Sequence, residues 1–389
     1  MSGPAWSGRV CLAGRSPFMG GAEVAGERLA TGLRDAGCEV WRLLGAENVV
    51  ADRARSAGFE VAVTPLDPIG RGAWWRHRAR VRGIESAIAR TGADVVHAND
   101  LPTARMVAPV ARRMGLPMVV HHRFTYPGPG IDWFNAAGAD RHVYVSRALR
   151  SELESSSPTL AKQAGVTIHD ALDPGGDALA RRVATSSAGA MMDRVGVLFS
   201  GQVIERKGVA TLLRAWAAMP ASARHAGHLM IVGDDLGGGG AYRREMERLA
   251  EALEIEAVFA GFCEDVEPWR RAAEVAVVPS HAEPLGLVVL EAMRSGVAVI
   301  GSDVGGIPEM IVDGETGLLC PPGDVGAWAS AMARLIGSAE ERLAMGERGR
   351  RRVEAEFGLG QQVRRVMGVY AEVAGAAGAM AATPVRRAA

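Results

Sequence analysis

Two spacings of apolar residues alternate along this chain. Short apolar runs bounded by turn-forming residues, as in "GRVCLAG", "ADVVHAND" and "LPMVVHH", read as buried parallel strands. Between them lie stretches whose apolar residues recur three and four apart. "GAEVAGERLATGLRDAGCEV", closed by Gly37, is the first of these and reads as an amphipathic helix. A strand in "EVWRLL", another in "GFEVAVTPL", a helix around Gly83 to Arg90 and a helix from Thr103 to Met114 continue the series. Strands alternating with helices imply an α/β fold in which a parallel sheet is covered on both faces.

The alternation stops between about Asp173 and Asp193, where "DPGGDALARRVATSSAGAMMD" is rich in Gly, Ala and Ser and has little strand character. That segment is expected to be a domain boundary. The pattern then restarts with "VGVLFSG", "GVATLLRAWAAM", "GHLMIVGD", "AYRREMERLAEALE" and "AVFAGF". A helix around Trp269, the strand "VAVVPS", a helix around Glu291 and the strand "VAVIGSD" complete it, followed by a helical tail from about Val325 to Ala376. A length of 389 residues fits two domains better than one core.

Composition narrows the class. Hydrophobic residues make up 48% and charged residues 23%, the balance of a globular protein. The 44 basic and 44 acidic residues cancel, so no overall field attracts nucleic acid, and none is expected as a partner. Cys11, Cys38, Cys263 and Cys320 lie far apart, which suggests neither a disulfide framework nor a zinc knuckle and fits a reduced, cytoplasmic thiol set. There is no signal-like N-terminus and no uncharged apolar run of about 20 residues. The basic and aromatic cluster "RGAWWRHRARVRG", Arg71 to Gly83, reads first as a surface helix whose long side chains lie over tryptophans. Its second reading is a peripheral contact at the inner face of a membrane, or steering of an anionic acceptor.

Chemistry concentrates in "PSHAEPLGLVVLEAMRSGVAVIGSDVGGIPEMI". Glu283 falls in the turn after a buried strand, at the carboxyl end where open α/β sheets bind ligands. Glu291 falls about one turn into the following helix, whose free N–H groups near Gly286 and Leu287 favour an anion. A dipole-offsetting Glu291 and a solvated Glu283 are the plainer alternative. Gly305, Gly306 and Pro308 form a second strand-to-helix turn that allows close backbone approach. In "FSGQVIERKGVATLLRAW", Arg206 and Lys207 follow a strand and precede a helix, so a fork and a point charge could both meet a diphosphate. Gly20 and Gly21 lie between the first strand and first helix, where backbone N–H groups can approach a phosphate. His97, His121 and His122 end strands of the first sheet. No Asp-x-Asp, His-Glu-x-x-His or zinc-spaced cluster appears, so no metal is expected. "AGRSPFMGGAE" is not a Gly-x-Gly-x-x-Gly turn, which disfavours a dinucleotide oxidoreductase.

The stretch "HAEPLGLVVLEAMRSGVAVIGSDVGGIPEMIVDGETGLLCPPGD" resembles the donor-site signature of the retaining glycosyltransferases of family 4, also called group 1. The resemblance implies a GT-B fold, two Rossmann-like doubly wound parallel-sheet domains facing a central cleft. An acceptor-side domain is expected over 1–180 and a donor-side domain over 190–389, with the final helices, about 357–376, crossing back. It further implies a retaining hexosyltransferase that uses a UDP- or GDP-sugar as donor substrate, a hydroxyl-bearing acceptor and no cofactor. Glu283 would contact the donor sugar, Glu291 the ribose, and the helix N-terminus at Gly286 and Leu287 the diphosphate. Arg206 and Lys207 match the family's diphosphate-binding pair, and Gly20 and Gly21 its glycine loop. His122, taken as the candidate active-site histidine facing the expected cleft, lies one position before the family's histidine, whose own place Arg123 holds. Gln202 stands where the family often has Arg, and "TIHDALDP" where it commonly reads Asn-Gly-Val-Asp, with Asp173 in the last position. A GT-B sugar-nucleotide epimerase and a catalytically silent sugar-nucleotide-binding subunit are the alternatives.

Overall fold

The computed structural model describes residues 6–67, 74–173, 194–235 and 237–381. The chain divides into two compact units, Met1–Asp173 with Leu359–Ala389, and Pro174–Gly358.

In the first unit β1 (Arg9–Gly14), β2 (Glu39–Leu44), β3 (Glu60–Val63), β4 (Val95–Ala98), β5 (Met118–His122), β6 (Arg141–Tyr144) and β7 (Gly165–Thr167) form one sheet. Its order is β3-β2-β1-β4-β5-β6-β7, and every pairing is parallel. The order reverses between β1 and β4, so the loops after these strands diverge and leave room at their carboxyl ends. Val10, Leu12, Val95, Val119 and Val143 of the sheet pack with Leu29 and Leu33 of the helix Gly21–Asp35. The helix Leu359–Ala381 belongs to this same core through Val363, Val366, Met367 and Tyr370. Its start is pinned by the Leu359 N–H, which donates to the Leu172 carbonyl at 2.9 Å.

The second unit repeats the plan with β8 (Val195–Ser200), β9 (Gly227–Val232), β10 (Ala257–Gly261), β11 (Val275–Val278), β12 (Ala298–Ser302) and β13 (Leu318–Cys320). These run in the order β10-β9-β8-β11-β12-β13, again all parallel, with the switch between β8 and β11. Val197, Leu229, Ile231, Val275, Val277 and Ile300 carry the core, closed by Trp216 and Trp328. Continuous apolar strands are what two-sided coverage requires.

Three short strands, β6, β7 and β13, are additional to the sequence reading. "RHVY", "GVT" and "LLC" are too brief or too polar to register as apolar runs, and they form as outer strands on an existing sheet. The expected helical tail is three helices, Val325–Gly337, Ala339–Glu356 and Leu359–Ala381. Ser338 breaks the first from the second and caps the second, its hydroxyl accepting from the Glu341 N–H at 3.3 Å. The boundary segment lies outside the described residues from Pro174 to Asp193, as do Arg71–Ala73 of the basic cluster, the rest of which falls in the helix Trp74–Thr91. Among the described residues no helix is long and apolar enough to cross a membrane.

Candidate functional site

Three loops at the carboxyl ends of β8, β11 and β12 are knitted into one structure in the second unit. After β8 the chain makes a single 3-10 turn, Glu205–Lys207, stopped by Gly208 at φ 72°. A Cβ on Gly208 would sit 1.9 Å from the Pro279 carbonyl oxygen, so only glycine lets this turn lie against the end of β11. The His281 N–H donates to the Arg206 carbonyl at 2.8 Å and fastens the two loops. On the other side the Gly306 N–H donates to the Glu283 carbonyl at 3.0 Å, and Gly305, at φ 57°, approaches that oxygen as closely as Gly208 does Pro279. Glu283 is therefore held by its backbone from both neighbours.

Its side chain is held as well. Lys207 Nζ donates to Glu283 Oε2 at 2.5 Å, Ser280 Oγ to the same oxygen at 3.2 Å, and Arg206 Nη1 stands 3.9 Å away while donating to the Ala282 carbonyl at 2.7 Å. The pair is largely withdrawn from water, with Lys207 16% and Glu283 10% exposed, so each charge depends on the other. The sequence-predicted residues Arg206, Lys207 and Glu283 are thus brought together. Gly286, at φ 98°, starts the helix Leu287–Arg294, and no side chain caps it. The first N–H groups of that helix remain available to an anion.

Glu291 lies on this helix and is met from a third direction. Arg270, on the short helix Glu267–Ala272, donates Nη2 to Glu291 Oε2 at 3.1 Å and Nη1 to Glu267 Oε2 at 2.6 Å. Neither Arg270 nor Ser280 stood out in the sequence. Ser280 had a signal, since it adjoins the strand end that carries Glu283. Arg270, in "EPWRRAAE", had none to mark it against its neighbour Arg271.

The residues predicted in the first unit form a different picture. Gly20 precedes the helix Gly21–Asp35, and its N–H donates to Glu23 Oε2 at 3.1 Å, so a carboxylate of the chain itself already meets this glycine. Burial pushes the Glu23 carboxyl up. A Cβ on Gly21 would meet nothing within 4 Å.

The strand-end histidines are inside the fold. His122 has no exposure, shares a 2.8 Å hydrogen bond between its Nε2 and His142 Nδ1, and stacks on Tyr144 at 4.6 Å. Burial holds it neutral, its pKa well below the ordinary value. His122 therefore offers no surface to a substrate: a doubly covered sheet buries both faces of β5, and the alternation that turns His121 to one face turns His122 to the other. His97 meets the Tyr370 hydroxyl at 2.5 Å and stacks on His121 at 5.4 Å, and burial pushes its pKa down to about 3. Arg123, in the family's histidine position, is also buried. It grips Asp170 with two bonds of 2.8 Å and donates Nη1 to Asn99 Oδ1, while Gln362 reaches Asp170 at 2.9 Å.

Both units match known family models. Residues 186–352 match the family described as Glycosyl transferases group 1, and residues 19–169 match Glycosyltransferase Family 4. The chain belongs to glycosyltransferase family 4. Among this family's curated members, the chain is 36% identical over 200 residues to D-inositol 3-phosphate glycosyltransferase 2 of Catenulispora acidiphila, covering 49% of this chain and 46% of that one. It is 34% identical over 174 residues to the D-inositol 3-phosphate glycosyltransferase of Mycobacterium tuberculosis, covering 44% and 34%. The chain thus spans less than half the length of these relatives. The crystal structure of Anabaena HepE in complex with UDP and glucose aligns with a TM-score of 0.79 at 19% identity, over 93% of this chain and 99% of that one. A glycosyltransferase from Rickettsia africae aligns with a TM-score of 0.79 at 15% identity, over 94% and 98%. The fold of this family 4 chain is GT-B.

Proposed function

We propose that this chain transfers a hexose from a UDP- or GDP-sugar to an acceptor hydroxyl with retention of anomeric configuration. The observation that carries the reading is the shared grip of Lys207, Ser280 and Arg206 around Glu283, beside the uncapped helix start at Gly286. A diphosphate entering beside Lys207 finds a cation already fixed by its carboxylate partner, together with the N–H groups at Gly286 and Leu287. Fixed donors of this kind act on charge that develops as the leaving nucleotide departs.

Glu283 then orients the sugar hydroxyls, and Glu291 holds the ribose. In the transfer, the bond between the anomeric carbon and the phosphate oxygen breaks and a bond to the acceptor oxygen forms on the same face. The acceptor proton passes to the departing phosphate oxygen, so no side-chain base is required and His122 has no part in it. Arg206, Lys207 and the helix start offset the diphosphate charge. The presence of UDP and glucose in the HepE complex makes UDP-glucose the first donor to try, and inositol phosphate, named for the curated relatives, the first acceptor.

Calorimetric titration with UDP, GDP, ADP and dTDP, with and without magnesium, tests the donor site. One nucleoside diphosphate should bind independently of magnesium, and nuclear magnetic resonance of the product should show the donor's anomeric configuration. No binding by any of the four, or an inverted product, would overturn the proposal.

A further inference from the structure

We infer that Arg270 is a positioning residue for the nucleotide ribose, acting through Glu291; this rests on the reading of Glu291 as the ribose contact. The helix Leu287–Arg294 buries Val289, Leu290, Ala292 and Met293, so Glu291 rises from an apolar helix whose carboxylate is only 17% exposed. A carboxylate so placed is held in one rotamer by a fixed donor that meets it. Arg270 supplies that donor from a separate element, with its own side chain 10% exposed and anchored at its other end by Glu267.

The guanidinium spans two carboxylates, Glu267 Oε2 and Glu291 Oε2. The planar fork meets the two carboxylates from separate nitrogens in a fixed geometry, whereas a lysine ammonium would have to bridge both from one nitrogen at the end of a flexible stem. Glu267 is the more exposed partner at 36%, and it also holds Arg271 at 3.4 Å. Glu267 and Arg271 therefore act as an outer anchor, with Arg270 as the strut that sets the Glu291 carboxylate. A carboxylate fixed in this way can accept from vicinal ribose hydroxyls without losing rotamer freedom on binding, so the fixing appears as affinity for those hydroxyls.

The test compares affinities for the tightest-binding of UDP, GDP and ADP with those for its 2′,3′-dideoxy analogue. In the wild type, loss of the ribose hydroxyls should weaken binding roughly ten- to a hundredfold, the weight of a hydrogen bond to a charged group. In Glu291→Gln and Arg270→Gln that ratio should fall toward one, and in Arg270→Lys it should be intermediate. Glu267→Gln, which loosens the outer anchor and leaves the Arg270–Glu291 bond in place, should lower it less than Arg270→Gln does. A merely structural role would weaken both nucleotides alike and leave the ratio where it was. If Glu291→Gln abolishes the ratio and Arg270→Gln preserves it, the inference about Arg270 is wrong and the ribose reading stands. If Glu291→Gln itself preserves the ratio, the ribose reading fails and the inference with it. Should Arg270→Gln fail to fold, Arg270→Lys decides between the same outcomes.

Discussion

Replacing Gly305 by alanine tests whether the loop network around Glu283 is as tight as its geometry says. The added Cβ would stand 1.9 Å from the Glu283 carbonyl oxygen and 2.9 Å from its carbon, so that peptide must retreat by roughly 1.5 Å to reach ordinary contact. The retreat also breaks the 3.0 Å bond from the Gly306 N–H. Gly314 provides the control, because it too has positive φ, at 74°, but a Cβ there meets nothing within 4 Å. Gly314→Ala should therefore cost only the left-handed backbone, on the order of 1–2 kcal/mol. Gly305→Ala should cost about that much again, plus about 1–3 kcal/mol of crowding and about 1 kcal/mol for the lost hydrogen bond. A gap of about 2–4 kcal/mol between the variants is expected. Urea unfolding followed by hydrogen exchange in peptides from residues 194–358 reads the second unit by itself and avoids treating two units as one transition. The same displacement moves Glu283 against Lys207, and a misplacement near 1 Å at a reacting centre costs about a hundredfold in turnover. Equal stability and equal activity of the two alanine variants would refute the reasoning.

Lys207→Ala should lower turnover by about a hundredfold or more, as loss of a fixed donor to developing charge does, and full activity of that variant would remove Lys207 from the site. The first unit should lose stability on acidification: His97 and His142 stay neutral in the fold with pKa near 3 and 4, while the unfolded chain takes up protons near 6.5. Their contribution is complete above pH 6.5 and is lost as the pH falls toward 4, by about 1.4 kcal/mol per pH unit for each histidine. His142→Asn should flatten the slope of a series of urea melts, and identical slopes would count against the buried-neutral assignment. Native alkylation should modify Cys263 alone, since Cys11, Cys38 and Cys320 are buried and burial pushes the Cys11 thiol up to about 12. Mass spectrometry showing a second alkylated cysteine under native conditions would contradict this. Tyr370→Phe should cost about 1 kcal/mol in the first unit by removing the hydroxyl from His97, measured as a shift of its unfolding midpoint.

The long apolar strands were legible because burial on both sides leaves a continuous run, and the motifs of the second unit were legible because each follows such a strand directly. Lys207 and Glu283 are 76 residues apart, yet each sits at a strand end, so the sheet order alone brings them near. What stayed hidden depends on side chains from elements without a local signal. Arg270 sits on a helix of six residues, and nothing in "EPWRRAAE" says which arginine turns inward. His122 shows the converse: its strand-end position suggested a ligand contact, but the same two-sided burial that made β5 readable already implied that neither of its histidines would face solvent. Tyr370 closing on His97 was beyond any pattern, because it depends on where the last helix docks.

That docking gives the chain a history as well as a shape. The first unit begins at the first strand but takes its last core side chains from residues beyond Leu359, with all of the second unit made in between. His97 receives its tyrosine 273 residues after it leaves the ribosome tunnel. Until then the face of the early sheet that carries Leu12, Val95 and Val119 has no complete cover, and it is apolar surface of the kind that chaperones bind. The second unit, contiguous in sequence, can finish first. Of the two units, the one whose synthesis starts first is therefore the one whose core is completed last.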